Sequence, residues 1–158
     1  MKKALAIALT LVVAALAGPT LAGAGDTAAA KTYKLGATMN ARGVVTPKNK
    51  PWKVPAAASK AKGTFTGKLN SVTGKLSWRI TYSGVGNPAL SIADIHSGAP
   101  GKFGPILVRL CAHCTSGQTG VVKVKASAQK DIAAGNSWVT VITEKYPNGV
   151  IRGQIKVG

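Results

Sequence analysis

A chain of 158 residues with 21 Lys and Arg against 4 Asp and Glu carries a formal charge of +17. So few carboxylates, scattered along the chain, exclude hydrolysis by a paired acid and base. The basic excess instead favours polyanionic partners such as lipopolysaccharide, acidic polysaccharide, nucleic acid or an anionic surface.

The start of the chain has the form of an export signal. Lys2 and Lys3 make a positive n-region, and Ala4 to Ala17 make an apolar run too short to span a bilayer. Gly18-Pro19 breaks the run, and small-x-small cleavage sites end at Ala17, Ala22 and Ala24. Cleavage after Ala24 is favoured, giving a signal peptide at 1–24, a flexible leader at 25–31 and one domain at 32–158. After signal cleavage no apolar stretch is long enough for a transmembrane segment. The expected location is the periplasm or the cell exterior.

From Lys31 onward the pattern is that of short strands separated by Gly, Pro, Asn and Ser. The first motif is a basic loop, Thr46-Pro-Lys-Asn-Lys-Pro-Trp-Lys-Val-Pro55, whose three prolines forbid a central strand. Lys48, Lys50 and Lys53 surround Trp52, and Lys60 and Lys62 follow. Lysines beside an aromatic ring suit a phosphate or a sugar. The alternative is that Trp52 plugs the end of the domain.

Phe65 and Leu69 then alternate with Thr64, Thr66 and Lys68. Asn70-Ser-Val-Thr-Gly74 is a hairpin turn, after which Leu76, Trp78, Ile80 and Tyr82 alternate with Ser77, Arg79 and Thr81. Further alternating runs include Ile106 to Leu110, Val122 to Ala126, Trp138 to Ile142 and Ile151 to Val157. Ser127 to Ala134 fits one helical turn closed by Gly135. Seven or more short strands with this spacing predict an all-β, antiparallel sandwich or barrel.

Chemistry has few carriers. Asp94 and His96 sit two apart, hence on one face of a strand. With His113 they form a candidate copper or zinc set. Cys111 and Cys114 stand in Cys-Ala-His-Cys. In an exported protein a structural disulfide is the favoured reading, with redox chemistry and metal ligation as alternatives. A Ser–His–Asp set from Ser91 or Ser97 with His96 and Asp94 lacks a nucleophile elbow. Arg152 is expected to pair with Asp94 or Glu144.

Three separated blocks then carry a resemblance. The centre is Ile95-His96, Gly98-Ala-Pro-Gly101 and Gly104-Pro105. The end is Trp138-Val-Thr-Val-Ile-Thr143, Pro147-Asn-Gly149 and Ile151-Arg-Gly-Gln154. The weaker beginning is Lys53-Val-Pro through Gly63. In this order they resemble the CHRD (chordin-type) domain family, in its bacterial secreted form, over about Thr32 to Val157. The resemblance implies a Greek-key, immunoglobulin-like β-sandwich with a topology similar to the Cu/Zn superoxide dismutase barrel, and no assigned activity in bacterial members. Three departures stand out. Asp94-Ile95-His96 replaces His-Ile-His, Ile142 replaces a His of the late strand, and Val150 replaces a Glu. The first two remove most of any His cluster, and the third removes an acidic group. The expected function is therefore a non-catalytic binding or structural module without a required cofactor. It would contact anionic polymer or envelope surface through Lys48, Lys50, Trp52, Lys53, Lys60 and Lys62, and nucleic acid stays in the set of partners. Copper or zinc handling and docking to another protein are the alternatives.

Overall fold

The computed structural model describes residues 29–51, 53, 55–86 and 91–158. The segment expected as signal peptide (1–24) and most of the expected leader (25–31), together with Trp52, lie outside the described residues. The strands are β1 (Thr32–Asn40), β2 (Lys62–Asn70), β3 (Lys75–Ser83), β4 (Ile92–Ser97), β5 (Ile106–Ala112), β6 (Thr119–Lys123), β7 (Ser137–Thr143), β8 (Tyr146–Gln154) and β9 (Lys156–Val157). Among the described residues one α-helix, α1 (Ala126–Ala133), precedes β7, and two short 3-10 turns lie between β1 and β2.

The strands form one antiparallel sheet in the order β5-β4-β7-β8-β1-β2-β3-β6, with β9 paired to β1. It curls into a nearly closed barrel, so the all-β expectation holds. The non-sequential neighbours β4–β7, β1–β8 and β3–β6 are the long connections of a Greek-key winding rather than a meander.

Period-two alternation decides what enters the barrel. In β1 to β3 the inward residues Leu35, Met39, Phe65, Leu69, Leu76 and Ile80 are buried. They meet Ala93, Ile95, Val139, Val141, Ile151 and Ile155 from the opposite wall. Burying one such large apolar side chain contributes about 1.5–3 kcal/mol.

The predicted turns form as chemistry requires. Asn70 Oδ1 accepts from the backbone N–H of Val72 at 3.1 Å and of Thr73 at 2.8 Å. Helix α1 closes with Gly135 at φ 72°. There Gly135 N–H donates to Ile132 O and Asn136 N–H donates to Asp131 O, the paired bonds of a left-handed helix terminus.

The Cys111–Cys114 disulfide, whose Cα atoms lie 5.5 Å apart, closes the turn that follows β5. The Cys114 carbonyl accepts from the hydroxyls of Tyr82 in β3 and Ser91 before β4. Tyr82 N–H in turn donates to Ser116 Oγ at 2.8 Å. The turn after β5 is thus tied to β3 across the barrel opening.

Candidate functional site

The outward face of β4, β7 and β8 is covered rather than exposed. Cross-strand register places Asp94 beside Thr140 and His96 beside Trp138, with Arg152 beside Thr140 and Gln154 beside Trp138. Asp94, His96, Trp138, Thr140 and Arg152 are all buried. Their cover includes the loop from Gly98 to Pro105, which joins β4 to β5.

The covering loop is fastened through its carbonyls. His96 Nδ1 donates to Gly104 O at 2.9 Å, and Trp138 Nε1 donates at 3.0 Å to the carbonyl of Ser97, the β4 residue from which the loop departs. Arg152 Nη2 donates to Lys102 O at 2.6 Å, and Gln154 Nε2 donates to Gly98 O at 3.0 Å. Gly104 is required by space: a Cβ there would sit 2.0 Å from Ser97 O.

Between these bonds the rings stack. His96 lies parallel to Trp138 with centroids 4.1 Å apart, and the Arg152 guanidinium lies 3.8 Å from the Trp138 centroid. At those distances both groups cannot share one ring face, so Trp138 is layered between them. Strand order agrees, because β7 runs between β4 and β8. Burial lowers the His96 pKa below its ordinary value, only partly offset by the Gly104 carbonyl and Asp94. Burial also pushes Arg152 down to about 10, which leaves it charged at neutral pH.

This arrangement corrects several expectations. Asp94 does not pair with Arg152. Its two carboxylate oxygens accept from Arg109, Oδ1 from Nε at 3.0 Å and Oδ2 from Nη2 at 3.4 Å. Asp94, His96 and His113 do not come together. His96 pairs with Ile106 at one end of β5, whereas His113 follows Ala112 at the other, where Ala112 pairs with Ile92. Their partners set the distance: Ile92 and His96 are four residues apart along β4, roughly 13 Å. Among the described residues no group of three or more His, Cys, Asp or Glu is placed to hold a metal. Cys111 and Cys114 are bonded to each other, so their sulfurs are not thiolate ligands. The Ser–His–Asp set does not form either, since Ser97 Oγ donates to Asp131 at 2.9 Å and Ser91 Oγ to Cys114 O at 2.6 Å.

The basic loop divides. Thr46 to Lys50 forms a tight tip, with Thr46 N–H donating to Lys50 O at 2.8 Å. Asn49, at φ 57°, accepts from Phe103 N–H through its side chain at 2.8 Å. Lys48 and Lys50 therefore project from a tip resting on the covering loop. Lys53 and Lys60 are exposed along the connection. Lys62 belongs to β2, between Asn40 and Ser83 of the neighbouring strands.

The residues that fasten the covering loop are the blocks singled out in the sequence, and a family profile for the CHRD domain matches residues 35–155. The chain belongs to the CHRD domain family. No curated protein and no solved structure matches it significantly. In this CHRD domain the signature side chains are consumed in holding loop to sheet: Ile151 fills the core, Arg152 and Gln154 reach the loop, and His96 and Trp138 stack beneath it. Among the described residues no helix is long and apolar enough to cross a membrane.

Seven of the exposed cations share one surface, the outward face of β9-β1-β2-β3-β6. Local alternation hinted at this for Thr64, Thr66 and Lys68, but the surface is assembled only by pairing five strands.

Proposed function

We propose that this CHRD domain is an exported, non-catalytic module that binds anionic polymer of the cell envelope or exterior. The observation that carries the reading is the distribution of charge. Every described lysine is exposed. Asp94 is buried against Arg109, Asp131 is half-buried and accepts from Ser97, and Glu144 is the sole exposed acidic side chain among the described residues. The surface field is thus almost unopposed. Such a field concentrates polyanions and releases their counterions on binding.

The buried cluster under the covering loop supports the non-catalytic half of the reading. His96 and Asp94 are committed to Gly104 and Arg109, so neither is placed beside a nucleophile. The tip lysines Lys48 and Lys50, with Lys53 and Lys60, extend the basic surface beyond the sheet.

The test is co-sedimentation of the protein with cell-envelope fractions across a salt series. Tight binding that collapses as salt rises is the expected result. Salt-insensitive binding would overturn the electrostatic reading in favour of a protein partner, for which the exposed Ile106 on β5 and Val121 on β6 are the apolar contacts. Absence of binding at low salt would leave the basic charge as a solvation feature and overturn the reading altogether.

A further inference from the structure

We propose that the outward face of β9-β1-β2-β3-β6 is the main contact surface, and that its occupant is a linear polysaccharide bearing carboxylate, sulfate or phosphate groups. This deepens the polyanion reading above and rests on it.

Register builds the surface. One row crosses Lys156, Gly36, Thr66, Arg79 and Thr119; the next crosses Lys34, Lys68, Ser77 and Val121. Lys62 and the pair Lys75 and Lys123 extend it at either end. All seven cations are exposed. The five strands contain no acidic residue. Neighbouring strands lie about 4.8 Å apart and alternate residues about 6.7 Å apart, so a chain of anionic groups laid on the face meets several cations at once.

Two features argue that this charge serves a ligand. Lys34 is directly opposite Lys68, and Lys75 directly opposite Lys123. Like charges in that position destabilise a sheet, and an anion between them removes the repulsion. The face is also open at its centre: a Cβ at Gly36 would meet nothing within 4 Å. A shallow trough runs there past Thr38, Thr64, Thr66 and Lys156, and a second lies between Lys68, Arg79 and Thr119.

The chemistry selects sugar over base. Threonine and serine hydroxyls fill the positions between the cations, able to donate to and accept from sugar hydroxyls. The aromatic rings of these strands do not face the surface: Phe65, Trp78 and Tyr82 are buried on the inner side, and Tyr33, half-buried, packs against the same core. A single-stranded nucleic acid surface needs aromatic platforms for base stacking, and this face has none.

The experiment titrates the full chain with heparin, polygalacturonate and an oligothymidylate at several salt concentrations. Two exposed triple variants are compared, Lys34→Gln/Lys68→Gln/Arg79→Gln on the face and Lys48→Gln/Lys50→Gln/Lys53→Gln on the loop. The face variant is expected to lose about tenfold or more in affinity for at least one polysaccharide, with a salt slope reduced by roughly one per cation removed. The loop variant is expected to lose less than about threefold. A larger loss from the loop variant overturns the assignment of the face and leaves the polyanion reading standing. Oligothymidylate bound as tightly as both polysaccharides overturns the ligand class. No binding of any probe at low salt overturns the polyanion reading itself.

Discussion

Arg152 stands over Trp138, its guanidinium carbon 3.8 Å from the ring centroid, while its Nη2 donates to the Lys102 carbonyl at 2.6 Å. One side chain thus joins the β8 strand, the β7 ring and the covering loop. A buried cation with an aromatic and a carbonyl partner contributes through both. Replacing Arg152 with Met is expected to lower the unfolding free energy by about 2–3 kcal/mol in denaturant titrations. Arg152→Lys should fall between, because an ammonium cannot lie flat on the ring. Amide exchange in residues 98–105 should accelerate in both.

His96 predicts a pH dependence. Burial lowers its folded pKa below the unfolded value of 6.5, so the unfolded chain binds the proton more readily. The stabilisation is complete above pH 6.5 and is lost as pH falls through the folded pKa. Thermal midpoints should therefore decline on acidification in the wild type. Relative to wild type, His96→Asn should flatten that part of the profile. Equal slopes in wild type and His96→Asn would show that another group governs the acid limb.

The Asp94–Arg109 pair is asymmetric: the Arg109 side chain is 54% exposed and the Asp94 side chain 1%. Removing the cation leaves a buried carboxylate without its partner. Arg109→Ala is expected to cost about 2 kcal/mol or more, and Asp94→Asn less, since the amide carries no charge to desolvate. A double-mutant cycle on unfolding free energies measures the coupling.

The disulfide closes only a short loop, so its effect should be modest. Cys111→Ala/Cys114→Ala is expected to lose about 2 kcal/mol, read from denaturant melts. Because the Cys114 carbonyl also receives Tyr82 and Ser91, exchange at Tyr82 and Ser116 should rise together in that variant.

Much of this architecture follows from the chain read locally. Alternation in Leu76 to Tyr82 fits the wall of a barrel, Asn70 and Gly74 fit its hairpin, and Gly135 fits the end of α1. These are short-range matters of side-chain period and backbone geometry. The pairing expected between Arg152 and Asp94 failed for a different reason. Asp94 lies opposite Arg109 of β5, and Arg152 lies opposite Thr140 of β7, and strand order is invisible in a window of ten residues. The metal set failed likewise, because His96 and His113 flank opposite ends of β5.

The same distinction governs the two functional features. Composition alone determined that the protein is strongly basic, and the ordered blocks alone determined its family. Only the tertiary structure decided that His96, Trp138, Arg152 and Gln154 converge on the carbonyls of one loop. It also decided that lysines from five strands share one face. Convergence of both kinds depends on cross-strand register, which arises when distant segments bury their apolar sides together and carry their outward residues into alignment.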